Sequence, residues 1–166
     1  MATHPRTLAP EEWELWEVWM LAQRLLAREL ERGLQRDAGI SKAEFSVLMT
    51  LWRAPGGEMR VAELTESLAW EKSRLSHQLT RMENRGLVER TQSGAAGRRT
   101  RIGLTPKGHD TTENAILGHG DNIRRHFLDT LTPEQAAAIR AWSDQMVGRM
   151  GAGDGEGEAE GSEAAR

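Results

Sequence analysis

Residues 61–107 read VAELTESLAWEKSRLSHQLTRMENRGLVERTQSGAAGRRTRIGLTPK, and the apolar period changes along them. Val61, Leu64 and Leu68 fall at helical spacing in a short segment, Val61 to Ala69. After a turn around Trp70, Leu75, Leu79 and Met82 fall at i, i+4 and i+7 and predict a second helix from Lys72 to Arg85. Gly86 follows as its C-terminal glycine, the residue that most readily takes left-handed backbone. Beyond it, Leu87 to Thr91 and Thr100 to Leu104 are β-prone runs. Between these runs Gln92 to Arg99, with Gly94 and Gly97, is too long for a tight turn and should project as a hairpin tip.

If Leu75, Leu79 and Met82 are anchored, the far side of that helix presents Ser73, Arg74, His77, Gln78 and Arg81. The major groove admits one α-helix, and only side chains opposite its buried stripe reach base edges. Arginine bonds guanine O6 and N7 in bidentate fashion, and glutamine does the same for adenine N6 and N7. Ser73 and Ser76, near the helix start, suit phosphate oxygens. His77 reads as a DNA contact whose charge varies near neutral pH. On the hairpin, Arg98, Arg99 and Arg101 can lay cations along or into the adjacent minor groove. Strand alternation puts Arg99 and Arg101 on one face and Arg98 on the other; Arg98, nearest the tip, is the candidate for insertion. A polar helix face alone is usually only solvated. Helix, turn, helix and basic hairpin in this order point to double-stranded DNA.

Upstream, Ser41 with Glu44 three residues on is a capping box for a helix carrying Phe45, Leu48, Met49 and Trp52 inward. Ala54-Pro55-Gly56-Gly57 stops it. Earlier still, Pro10 opens a helix to about Asp37, with Trp13, Trp16, Met20, Leu26, Leu30 and Leu34 in a stripe that Leu15, Val18 and Leu25 widen. Its length suits an arm packed on another chain. Downstream, Thr105-Pro106 starts a long helix towards Asp129, with Gly118 and Gly120 as weak points. Thr132-Pro133-Glu134-Gln135 starts a last one to about Met150. The expected fold is mostly α (α+β): a flexible N-terminus (1–9), a dimerisation helix (10–37), a winged helix-turn-helix lobe (38–105), C-terminal dimerisation helices (106–150) and a disordered acidic Gly/Glu/Ala tail (151–166).

Composition narrows the function. The chain of 166 residues has no cysteine, which excludes disulfides, thiolate chemistry and cysteine-bound zinc. The formal charge of −3 conceals an asymmetry: residues 71–107 carry +6 and residues 151–166 carry −4. A basic centre fits a polyanionic partner. There is no signal-peptide pattern and no apolar run near the ~18 residues that a membrane span needs, so a soluble cytoplasmic protein is expected. No nucleophile, base and oxyanion arrangement and no phosphate-cradling glycine loop is present, so neither catalysis nor a cofactor is expected. His109, His119 and His126 are too few and too dispersed for a metal site. Trp16, Trp19, Met20, Arg24 and Trp52, with Trp13, can line a pocket for a small effector; the same indoles also suit the core of a dimer.

Several short runs carry a family resemblance. Gly39-Ile40-Ser41 through Val47-Leu48, Val61-Ala62-Glu63-Leu64, Arg81-Met82-Glu83-Asn84-Arg85-Gly86-Leu87-Val88 and Leu104-Thr105-Pro106-Lys107-Gly108 resemble the MarR family of regulators. With the flanking long helices, the likeness spans about residues 10 to 150. It implies a homodimer placing two recognition helices into successive major grooves of a pseudo-palindromic operator, a repressor role, and release by small aromatic or anionic ligands. The family's wing usually carries an aspartate two residues before the groove-reading arginine; Ala96 stands there. The start of the recognition helix, Trp70-Glu71-Lys72, also lacks an orthodox N-cap at Trp70. The alternative is a winged helix that serves as a protein-interaction module or coats DNA without an effector.

Overall fold

In a computed structural model, the structure describes residues 7–93 and 99–153. The hairpin tip with Ala96 and Arg98, most of the N-terminal segment and residues 154–166 of the acidic tail lie outside the described residues. The chain divides into two compact units, Met1–Arg124 and Arg125–Arg166.

The first unit opens with α1 (Pro10–Ala38). Pro10 sits in its first turn with Glu11 and Glu12, where negative charge meets the positive end of the helix dipole. The Glu12 carboxylate accepts from the Ala9 N–H at 2.7 Å. Gly39 ends the helix with φ 64°, a left-handed turn in which the Gly39 and Ile40 N–H groups donate to the Gln35 and Leu34 carbonyls. Next, α2 (Lys42–Arg53) begins at the expected capping box: the Glu44 N–H donates to Ser41 Oγ and the Ser41 N–H to Glu44 Oε2. Then follow β1 (Glu58–Arg60), α3 (Val61–Leu68), α4 (Lys72–Asn84), β2 (Val88–Ser93), β3 (Arg99–Leu104) and α5 (Pro106–His126). The second unit contains a 3-10 turn, Leu128–Thr130, and α6 (Pro133–Gly153).

The three strands form one antiparallel sheet in the order β1-β3-β2. β1 is an addition to the expected hairpin, pairing Met59 with Ile102 and Arg60 with Arg101. A three-residue strand with one apolar side chain has no period to detect. The hairpin ladder also extends to Ser93 opposite Arg99, because strand pairing by backbone needs no apolar side chain. α6 likewise runs to Gly153, past the expected end at Met150.

Leu48, Leu51, Leu64, Leu75, Leu79, Met82, Leu87 and Ile102 are buried together where α2, α3, α4 and the sheet meet. Each such side chain contributes about 1.5–3 kcal/mol. This core fixes which side of α4 is left outside. Gly118 and Gly120 do not interrupt α5. Gly118 instead lets α5 come close to α1: a Cβ there would stand 3.2 Å from that of Asp37. The buried Asn122 donates to Asp37 Oδ2 at 2.8 Å and to the Gly118 carbonyl, and accepts from Arg36 at 3.2 Å.

Ala69 closes α3 in the left-handed region, with φ 50°. An L-residue with a Cβ pays about 1 kcal/mol or more there relative to glycine. Ala69→Gly should therefore raise the melting temperature by roughly 2–4 °C, measured by circular dichroism. An unchanged or lower value would contradict the strain.

Candidate nucleic-acid interface

Leu75, Leu79 and Met82 anchor α4, all at most 1% exposed. Ser73, Arg74, Ser76, His77, Thr80 and Arg81 are exposed on it. Gln78 is not: it is 7% exposed, which corrects its expected place on the outer face. Position 78 lies three residues after Leu75 and four before Met82, so it belongs to the buried stripe. Its Oε1 accepts from Arg81 Nη2 at 3.2 Å. At the other end of the helix, the Arg74 guanidinium lies over the Trp70 ring, 4.3 Å from its centroid. The N-cap residue is Glu71, not Trp70 as expected, and it makes no side-chain cap bond.

Three ion pairs set the frame around this face. Arg85 Nη1 donates to Glu44 Oε1 and its Nη2 to the Gly39 carbonyl at 2.8 Å, tying the end of α4 to the α1–α2 junction. Burial works to raise the Glu44 carboxyl. The Ser41 N–H, the Arg85 guanidinium and the Ser41 hydroxyl outweigh it and hold the group below the ordinary glutamate range. Arg90 pairs with Glu83 at 3.0 Å, joining β2 to α4.

The third pair corrects another expectation. Arg101, expected as a groove cation, has its Nε 2.8 Å from Glu58 Oε1, and its Nη2 donates to the Glu58 carbonyl. It is half-buried and braces β1 against β3. The physical reason is Glu58 on β1, a strand too short to show a pattern in the sequence. Arg99 opens β3, and Arg98 lies outside the described residues. Two cations missing from the sequence reading, Arg60 and Lys72, line a recess with Val61, Thr65 and Thr100 beside the start of α4. Their signal was positional: each immediately precedes or opens a helix.

The expected effector residues do not assemble as drawn. Trp16, Trp19 and Arg24 are exposed on α1, and Met20 is half-buried. Trp52 packs on the His109 ring, 4.3 Å between centroids, in a recess formed by Ala54, Gly56, Gly57 and Leu104 with no α1 residue. A separate cavity of about 600 Å³ lies between α2 and α5, lined by Phe45, Met49, Arg53, Leu68, Ile116 and His119 among others. The His119 ring packs tilted against Phe45, 4.9 Å between centroids, and its Nδ1 is buried without a hydrogen-bond partner.

Burial holds the His119 imidazole below its ordinary range. The unfolded chain therefore binds more protons than the folded one just below pH 6.5. The stabilisation is complete above the unfolded pKa and is lost as pH falls through the folded one. The melting temperature should decline on acidification below about pH 6.5, and His119→Phe should flatten that limb. An identical slope in the variant would refute the assignment.

A short helix, a tight turn, a helix anchored on one stripe and a small antiparallel sheet with a basic hairpin together define a winged helix-turn-helix protein. Residues 40–99 match the MarR family. The transcriptional regulator HosA of Escherichia coli is 34% identical over 113 residues, covering 68% of this chain and 82% of that protein. AbsC, a MarR family transcriptional regulator from Streptomyces coelicolor, shares 32% identity at a TM-score of 0.76, over 88% of this chain and 98% of that one. Sco3205, another MarR family regulator of that organism whose structure was solved in complex with DNA, gives 32% and 0.75, over 88% and 91%. The chain belongs to the MarR family: it is a transcriptional regulator and not an enzyme. No helix among the described residues is long and apolar enough to cross a membrane.

Proposed function

We propose that this regulator is a ligand-responsive repressor that binds a pseudo-palindromic operator as a homodimer, with α4 of each subunit in a major groove. One observation carries the reading: Ser73, Arg74, Ser76, His77 and Arg81 are exposed on a helix locked in place by Leu75, Leu79 and Met82. Residues of these types, on a helix free on that side, suit base edges and phosphates. The DNA complex of Sco3205, at 32% identity, supports the partner. Arg98 and Arg99 of the wing are assigned to the neighbouring minor groove.

The dimer reading rests on apolar exposure. On α1, Trp13, Leu15, Trp16, Val18, Leu21 and Leu25 are all at least 47% exposed, as are Val147 and Met150 of α6. Apolar surface of this extent marks an interface, and a second copy of the chain is the assigned occupant. For the effector, the cavity between α2 and α5 replaces the tryptophan pocket. Its volume lies in the range of small-molecule sites, and Arg53 beside an apolar wall suits an aromatic anion.

The test is a footprint and gel shift on the DNA upstream of the gene, at two salt concentrations. A discrete palindromic footprint is expected, and Arg74→Ala or Arg81→Ala should weaken specific binding by about 1–3 kcal/mol, roughly 5- to 150-fold. Salt-sensitive binding to any duplex, with equal losses on random DNA, would instead make the protein a DNA-coating module.

A further inference from the structure

Arg74 and Arg81 differ from ordinary surface arginines in that each is already held on its own helix surface. The Arg74 guanidinium lies 4.3 Å from the centroid of Trp70, and Trp70 is itself fixed. Its side chain is half-buried against the core, and its backbone N–H donates to the Thr65 carbonyl at 3.2 Å, across the left-handed turn at Ala69. Arg81 donates to Oε1 of Gln78, and Gln78 is confined in the buried stripe between Leu75 and Met82. A free arginine loses considerable rotamer freedom on docking. One whose planar group is ordered beforehand loses less, and binding is correspondingly tighter and more selective. Neither Trp70 nor Gln78 need touch DNA to have this effect.

Seven residues of helix separate the two arginines, so they share a face at a spacing of about 10.5 Å. At 3.4 Å per base pair this is about three steps of a duplex. Resting on the DNA-reading function proposed above, we propose that Trp70 and Gln78 are positioning residues. They hold Arg74 and Arg81 as a pre-set pair of guanine readers about three base-pair steps apart in each half-site. Trp70 holds its arginine by the ring face, as a cation–π platform. Gln78 holds its own by a carbonyl on a side chain that has no room to turn away.

The experiment is selection of binding sites by the full-length protein from a random duplex library, followed by affinities for the selected site and for random DNA. The wild type should enrich half-sites with two G·C pairs about three steps apart. Trp70→Leu should lose about tenfold for the selected site and none for random DNA, and should relax the base preference at one of the two positions. Trp70→Phe, which keeps a ring face, should recover most of it. Gln78→Met should relax the other position. In an Arg74→Ala background, Trp70→Leu should have no further effect. If its loss instead multiplies that of Arg74→Ala, or if Trp70→Leu selects the same sequence as the wild type, the positioning role is wrong while the DNA-reading function stands. Should Trp70→Leu fail to fold, the Phe and Gln78→Met variants decide by the same criteria. A wild type that enriches no sequence overturns the function and the inference together.

Discussion

Gly108→Ala is expected to cost more than about 3 kcal/mol of stability, enough to lower the melting temperature by roughly 10 °C. A Cβ at this position would stand 1.9 Å from the Leu87 carbonyl oxygen and 2.9 Å from its carbon. These are backbone atoms, so no rotamer change relieves the overlap. Leu87 itself is 1% exposed, and its N–H is bonded to the Met82 carbonyl at the end of α4. Nor can α5 easily withdraw. The Thr105 hydroxyl donates to the Gly86 carbonyl at 2.6 Å and accepts from the Gly108 N–H at 2.9 Å, and Lys107 reaches the Arg85 carbonyl. Gly120→Ala is the control, since nothing lies within 4 Å of a Cβ built there. In a helix interior that change should be neutral or stabilise by roughly 0.5–1 kcal/mol. Thermal melts of both variants decide: a Gly108→Ala protein melting within a few degrees of the wild type would mean that α5 does not approach the Leu87 backbone so closely.

The position of Gly108 in Thr105-Pro106-Lys107-Gly108 shows what a sequence reading reaches. The threonine and proline announce the helix by local chemistry, and α5 begins at Pro106. The requirement for glycine three positions later comes from the backbone of Leu87, just before β2 and about twenty residues earlier, and nothing local discloses it. The same division runs through the candidate interface. The stripe Leu75, Leu79 and Met82 identifies α4 and its outer arginines by periodicity alone. Gln78 was legible too: three residues after Leu75, its place in the buried stripe follows from helix geometry, and its polar chemistry outweighed its position. Arg101 was not legible, because its partner Glu58 sits on a strand too short for a pattern. Nor was the tryptophan group. Trp52 and the α1 indoles share a residue type, but the fold gives Trp52 to His109. Periodicity reports which side of an element is buried; it is silent on which distant element covers it.

Arg85 is the strongest case of such a non-local demand, and Arg85→Ala is expected to destabilise the fold by about 2–3 kcal/mol near neutral pH. Its partner Glu44 has only 8% of its side chain exposed, so removing the cation strands a carboxylate that water reaches poorly. The Gly39 carbonyl loses its donor at the same time. The Arg85 side chain is itself 45% exposed, which admits some water to the gap and keeps the loss below that of a fully buried pair. The pH dependence separates this mechanism from lost packing. Glu44 titrates below the ordinary glutamate range in the folded protein. The stabilisation from its ionised form is therefore complete above the unfolded glutamate pKa and is lost as pH falls through the lower folded value. The gap between wild type and Arg85→Ala should accordingly be largest at pH 7 and should narrow on acidification through and below the glutamate range. Urea unfolding of both proteins at pH 7 and at successively lower pH measures it. Glu44→Gln, which removes the charge but keeps a side chain able to bond Ser41, should lose less than Arg85→Ala at pH 7. A gap that stays constant with pH would mean that Arg85 acts through its contacts with Gly39 and the end of α4 rather than through charge. The orientation of the arginine-bearing helix would then depend on shape alone.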